Sequence, residues 1–373
     1  MKKIIHPEPA GGRLLSLDLF RGLVMFLLTA EGTHLYESLN DAAPAGTVWK
    51  AVVTQFFHHP WNGLRAWDLV QPFFMFIVGV AMVYSLEKRW KQGDSWLKTF
   101  GHIFFRCAVL FLLGTGLHCV YNGRLVFELW NVLTQLSFTI LVAFLLFRFP
   151  FSVQFGVSIG LLVLTEIAYR SCSIAGFDQA FVQGRNFGAW MDTVLIGKIN
   201  PSGWVAVNCV PTASHTIWGV LAGKLLMSGK RNVTKIRSLA VAGLAGLVIG
   251  YGLDWLSITP IIKRICTSSF VTVSGGWCLL TLMFFYWLVD VRGFKKGVLF
   301  FAVVGMNSIF IYLFGNTVGP QWFNGFVGIF SNGFMQKLGT PELVMPIITS
   351  LIVLELEWGL CFWFYRRKIL IKI

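Results

Sequence analysis

The sequence predicts an all-α fold: a polytopic membrane helix bundle of about ten transmembrane helices, formed as a single domain over residues 1–373. Three observations carry this. Apolar residues make up 55% of the 373, and the 38 glycines bring the share to about 65%, against ~45–50% in soluble domains. Charged residues are only 13%, too few to clothe a soluble globule of this size. Apolar runs near the ~20 residues that cross hydrocarbon recur along the chain, and mean hydropathy is +0.68. Their lack of strict alternation excludes an outer-membrane barrel. Soluble, disordered and collagen-like classes fall with the composition.

In chain order, residues 1–14 form a short basic cytoplasmic segment, with no small-residue cleavage site behind it and so no expected signal peptide. The spans then run roughly over 15–36, 69–87, 100–119, 129–147, 151–169, 211–227, 238–256, 271–290, 298–316 and 343–365. Residues 366–373 form a basic cytoplasmic tail. With the N-terminus inside, the inner segments hold 19 Lys and Arg, among them Lys88, Arg89, Lys230, Arg231, Lys295, Lys296, Arg366 and Arg367. The outer segments hold 9. The positive-inside rule then gives N-in and C-in. The net charge of +14 is a topology signal, and no nucleic acid partner is expected. Membrane lipids surround the bundle, and a homodimer is left open. The long outer loops are 37–68, 170–210, 257–270 and 317–342, so the working surface is expected outside.

Ionisable groups at membrane depth usually have a role. Asp18 and Arg21 share a face at the inner end of the first span. Glu31 lies ten residues on, about 15 Å along the axis. Asp68 and Gln71 open the second span, His118 closes the third, and Asn131 and Gln135 open the fourth on one face. His215 sits early in the sixth, and Asn307 and Ser308 lie in the ninth. Most of these converge on the outer half, with His58 and His59 in the first outer loop. The plainer alternatives are satisfied helix-end histidines, an N-terminal carboxylate on a helix dipole at Asp68, and an ion pair fixing the first helix at Asp18 and Arg21. Glu355 and Glu357 in the last span are expected to pack against Lys or Arg partners. The seven cysteines form no CxxC pair, and no metal is predicted.

The segment His58-His59-Pro60-Trp61-Asn62-Gly63 leads into Trp67-Asp68-Leu69-Val70-Gln71-Pro72-Phe73-Phe74, and follows Asp18-Leu19-Phe20-Arg21-Gly22. Together these resemble the heparan-α-glucosaminide N-acetyltransferase family of membrane acetyltransferases and its bacterial relatives. Weaker matches follow in order at Pro211–Gly223, Thr267–Phe270 and Gly305–Ile309. The resemblance implies acetyl transfer from cytoplasmic acetyl-CoA, as co-substrate, across a bacterial inner membrane to an amino-sugar or glycan acceptor, with the catalytic loop facing the periplasm. It places the catalytic histidine at His58 and the helix-opening aspartate at Asp68. A departure lies at Thr29-Ala30-Glu31-Gly32, where the glucosaminide enzymes carry an asparagine, and this matches a bacterial subgroup linked to amino-sugar use.

The chemistry fits those residue types. Imidazole is a matched general base near neutral pH, and a carboxylate ten residues later can hold its tautomer. Asn131, Gln135 or Asn307 can donate to an oxyanion. Arg21, with Asn307 and Ser308, is assigned to the coenzyme. Glu31, Trp61, Asn62, Gln71, His118, Asn131, Gln135 and His215 are assigned to the acceptor. Direct transfer in a ternary complex is preferred to an acetyl-histidine route. The alternatives are an amino-sugar transporter, disfavoured by the lack of visible repeats, and an O-acetyltransferase acting on an envelope glycan.

Overall fold

The computed structural model describes residues 14–371. Of the predicted segment 1–14 only Leu14 is among them, and the last two residues of the 366–373 tail lie outside. The helices are α1 (Leu15–Gly32), α2 (Leu35–Ala42), α3 (Val48–Thr54), α4 (Val70–Lys91), α5 (Trp96–Asn122), α6 (Val132–Leu146), α7 (Phe151–Arg170) and α8 (Phe187–Leu195). They continue as α9 (Cys209–Met227), α10 (Asn232–Trp255), α11 (Ser268–Phe285), α12 (Val298–Met306), α13 (Ser308–Asn316), α14 (Asn324–Lys337) and α15 (Met345–Arg367). Among the described residues there is no β-strand, only one isolated bridge between Asn62 and Ile262.

All ten predicted regions are helical, and the architecture is that of a multi-pass membrane protein. The expected ten spans are met in part. Six helical stretches among the described residues are long and apolar enough to cross a bilayer, or seven if α12 and α13 form one span bent by 74° at Asn307. The three regions that fall short do so for separate reasons. Helix α1 carries three charges, Asp18, Arg21 and Glu31. Helix α6 has 15 residues, about 22 Å of rise. Helix α9 is polar, but it is wrapped in protein. There Ser214 Oγ donates to the Ser158 carbonyl at 3.0 Å, and His215 Nε2 meets Ser274 Oγ at 2.8 Å. A helix enclosed by other helices satisfies its polar groups internally and need not match lipid. The long outer loops are not open coil either, since they contain α2, α3, α8 and α14.

Between lipid-bathed helices, close backbone approach replaces the hydrophobic drive as the source of packing energy. Helices α4 and α9 cross at Gly79 and Gly219. A Cβ on Gly79 would stand 2.1 Å from the Thr216 carbonyl oxygen, and one on Gly219 would stand 2.1 Å from that of Phe76. The N-terminus of α1 is capped from a distance. The two Asp290 carboxylate oxygens accept the N–H groups of Leu15 at 3.2 Å and Ser16 at 3.1 Å, satisfying donors that a helix start leaves free.

This packing gives the bundle two distinct ends. Helix α1 runs from Arg21 to Glu31 and α4 runs the opposite way, from Asp68 to Arg89. One end therefore collects Glu31, Asp68, the 55–65 loop and the 257–267 loop. The other collects Arg21, Lys88, Arg89 and Arg106.

Gly79→Ala is expected to lower stability by about 1–3 kcal/mol through overpacking of the α4–α9 crossing. Gly101→Ala, where a Cβ meets nothing within 4 Å, is expected to leave it unchanged or slightly raised. Thermal unfolding of the two variants in detergent, compared with the parent, checks this.

Candidate active site

The loop between α3 and α4 is held in place by Asp68, which is fully buried. Asp68 Oδ2 accepts the backbone N–H groups of Arg65 at 2.8 Å and His59 at 3.2 Å. Its Oδ1 faces His58 Nδ1 at 3.0 Å and Lys263 Nζ at 3.7 Å. One carboxylate thus bends the 58–65 segment back onto the start of the helix. Gly63 completes the fold-back at φ +141°, and a Cβ there would run into the His59 ring. The Gly63 N–H donates to the Ile261 carbonyl at 2.8 Å, which ties this loop to the loop carrying Lys263.

Lys263 was not anticipated. It looks like an ordinary outer-loop cation, yet it is 5% exposed, and its Nζ lies 3.0 Å from His58 Nδ1. Burial pushes its ammonium down to about 8, against the pull of Asp68. His58 is displaced in the same sense. Burial first, and then the Lys263 charge, press its imidazole down to about 4, against the opposing pull of Asp68. The ring is therefore neutral at pH 7. A ring nitrogen cannot donate and accept at once. Nδ1 therefore either donates to the ionised Asp68 or accepts from Lys263 Nζ, and the first of these tautomers is the one that leaves the lone pair on Nε2. No protein group among the described residues bonds Nε2, and the side chain remains 35% exposed. Trp204, also unanticipated, stands edge-on to the His58 ring at 5.5 Å and under Lys263 Nζ at 5.4 Å.

The other assigned residues distribute unevenly. Glu31 accepts the Trp67 indole N–H at 3.0 Å, beside Asp68 in sequence. Gln71 Nε2 donates to Gln135 Oε1. Asn131 caps α6, its side chain accepting the Leu133 N–H at 2.8 Å. His118 pairs with Glu128 at 2.8 Å, and Lys198 joins the same carboxylate. Trp61 donates its indole N–H to the Phe181 carbonyl at 2.7 Å, and Asn62 meets Ile262 through the isolated bridge. His215 is fully buried between α9 and α11. Asn307, at the α12–α13 break, holds the tail: its Nδ2 donates to the Ile369 carbonyl at 3.2 Å, and its Oδ1 accepts the Ile371 N–H at 2.8 Å. Ser308 Oγ donates to the Gly305 carbonyl. All seven cysteines are free thiols.

A cavity of about 990 Å³ opens from the Arg21 end, at the upper end of the size usual for ligand pockets. Its mouth carries Arg21, Lys88, Arg89, His102 and Arg106, its wall is largely apolar, and its far end reaches Leu133 and Tyr312. Arg106 Nε is buried there without a hydrogen-bond partner. Such a lining suits a ligand with a polyanionic head and a long slender arm. The cavity does not extend to His58. Phe74 on α4 lines it, and Asp68 lies six residues back, in the 3₁₀ turn Ala66–Leu69 that leads into α4, roughly 10 Å away by helical rise. Gln71, which is bonded to Gln135, lies between Asp68 and Phe74 in the sequence.

Two mammalian proteins align with almost the whole chain. Heparan-alpha-glucosaminide N-acetyltransferase of Mus musculus is 25% identical over an alignment of 428 residues, covering 98% of this chain and 61% of that protein. The Homo sapiens protein of the same name is 25% identical over 426 residues, covering 97% and 60%. The family-level resemblance read from the two motifs is borne out, while the chain spans about three fifths of the length of these relatives. No family model matches.

Asp68→Asn leaves Lys263 buried without a counter-charge, and is expected to cost about 3–5 kcal/mol. The double variant Asp68→Asn/Lys263→Met, which removes the stranded ammonium, is expected to recover part of that loss. Unfolding midpoints of the two single variants and the double variant, read as a cycle, check the coupling.

Proposed function

We propose that the chain is a membrane acetyltransferase that moves acetyl from acetyl-CoA to the amino group of an amino sugar, with His58 as general base in a ternary complex. The reading rests on the His58–Asp68 pair at 3.0 Å, set at one end of a bundle whose other end opens a basic-mouthed cavity. The relatives' name gives the reaction class.

The cavity fits the coenzyme. Arg21, Lys88, Arg89 and Arg106 supply cations for the phosphates, and the apolar wall takes the slender arm. The thioester must pass the Gln71–Gln135 contact to come within reach of His58, so these two amides form the barrier between the half-sites. The acceptor enters as free amine at the His58 end. Its nitrogen lone pair attacks the thioester carbon, and the C–N bond forms as the C=O electrons move onto oxygen. His58 Nε2 takes the proton that the nitrogen sheds, and Asp68 holds Nδ1–H throughout. Collapse of the tetrahedral species breaks the C–S bond and releases the CoA thiolate. The Gln135 amide nitrogen has no protein partner among the described residues, and it is the donor proposed for the oxyanion. By the positive-inside rule, the coenzyme side is cytoplasmic and the His58 side periplasmic, in a bacterial inner membrane.

In vesicles given labelled acetyl-CoA and glucosamine, the parent protein is expected to form N-acetylglucosamine. His58→Ala is expected to lose about 10²–10⁴-fold in kcat, the usual range for one acid–base group, while retaining acetyl-CoA binding. Glucosamine uptake without acetyl-CoA would replace this reading with transport, and O-acetyl product would replace the amine acceptor.

The pH dependence follows from His58. With kcat/KM expressed per free amine, because the acceptor's own ammonium titrates near neutrality, a base that must be neutral and whose pKa lies at about 4 leaves the rate flat from neutrality down to pH 5 and falling below. Lys263→Met removes a positive charge that presses the pKa down, so its acid limb is expected at higher pH than the parent's. Rates measured from pH 4 to 8 check both.

A further inference from the structure

Glu357 has no role in the chemistry above, and the basic partner expected for it from sequence is absent. It lies near the middle of α15, twelve residues from its first and ten from its last, roughly 15–18 Å from either end. It is 0% exposed, and neither carboxylate oxygen has a donor. The charged groups on the helices packed around it include Glu31 on α1, Glu37 and Asp41 on α2, and Lys337 on α14. None of these pairs with it among the described residues. Cys361, one turn along α15, is its titratable neighbour.

What Glu357 does face is oxygen. Helix α13 ends at Asn316, and the chain re-enters helix through a widened π-turn over Gly319–Phe323, the kind of break that often marks a functional position. The missing side chain of Gly319 leaves a small space there. The point where its Cβ would stand lies 3.3 Å from the Phe314 carbonyl oxygen, 3.5 Å from Glu357 Oε1 and 3.7 Å from Asn324 Oδ1. Asn324 is fixed in this orientation because its Nδ2 donates to the Gly32 carbonyl at 2.8 Å. Its Oδ1 is buried with no donor of its own. Three acceptors from three elements therefore converge; the Phe314 carbonyl takes the Thr317 N–H at 3.2 Å on one lone pair, and neither side-chain oxygen has a donor among the described residues.

We propose that Glu357, Asn324 Oδ1 and the Phe314 carbonyl form a site for one positive charge, taken as an alkali-metal ion or as a proton on the carboxyl. A buried carboxylate without a donor is strongly disfavoured as a bare anion, so the site holds its charge compensation within itself. An all-oxygen set suits hard cations. A single carboxylate matches a monovalent ion in charge, and three protein oxygens fall short of the six or more that calcium takes. Carbonyls at a helix break beside an acidic side chain are the donors with which broken membrane helices bind Na⁺ or H⁺. The site lies where the α13–α14 break meets the end of α1 and the middle of α15, and none of its three residues lines the large cavity.

The test uses the full chain in detergent, with thermal unfolding as the readout, so its result does not depend on whether the chain transfers acetyl. Midpoints are measured in sodium, lithium, potassium and choline chloride at fixed ionic strength, from pH 5.5 to 9. Three proteins are compared: the parent, Glu357→Gln and Gly319→Ala, whose methyl fills the space at near-ordinary contact distances. For an alkali ion, the parent midpoint at pH 8.5 rises by several degrees in one alkali chloride over choline, and both variants lose the rise. For a proton, the parent midpoint falls as pH is raised in every salt, Glu357→Gln flattens that slope, and Gly319→Ala keeps it. If Glu357→Gln responds to salt and pH as the parent does, the site takes no charge and the proposal is wrong.

Discussion

The buried carboxylate of Asp68 is the constraint on which the rest of the functional end depends. It accepts two backbone N–H groups from the loop it terminates, faces an imidazole, and neutralises a lysine from a loop almost two hundred residues away. Without it the 58–65 segment would have no reason to fold back, and Lys263 would have no reason to leave water. The interaction is structural and electrostatic at once. The carboxylate that sets the loop geometry also holds one edge of the His58 ring, between itself and the Lys263 ammonium.

The same economy explains why the two halves of the proposed reaction stay apart in this conformation. Helix α4 presents Asp68 at one end, cavity-lining Phe74 a turn and a half further on, and Gln71 between them. In the proposed reaction, the Gln71–Gln135 hydrogen bond is the contact that the thioester has to pass. The close glycine crossing of α4 with α9 leaves α4 little freedom, so opening falls to side chains and to the neighbouring α1 and α6.

Hydropathy made the ten helical regions legible, and the two N-terminal motifs made the His58–Asp68 pair legible. What sequence missed has physical causes. Lys263 sits in a loop, where a cation is expected to be solvated. The signal was its apolar frame, Ile261-Ile262 before and Ile265-Cys266 after, all buried. Trp204 gave no sign, because a tryptophan in an outer loop reads equally well as an interfacial anchor. The break at Asn307 was visible only as a polar pair in an apolar run, read as chemistry when its amide in fact clasps the tail. His215 looked like a ligand and is placed as a core histidine bonded to serine. Glu357 was expected to have a partner on a neighbouring helix. Composition cannot reveal that the polar atoms beside Gly319 which it faces, the Phe314 carbonyl and Asn324 Oδ1, are acceptors too.

The clasp at Asn307 has a consequence of its own. It lays Ile369 to Ile371 along the helix break, and Leu370 and Ile371 form part of the lining of the large cavity. The stretch Ile369 to Ile371 is thus a doorpost beside the basic threshold. Anything bulky that uses that doorway brushes against it. A fluorescent group carried at Leu370 would therefore act as a sentinel, changing its brightness as molecules come and go.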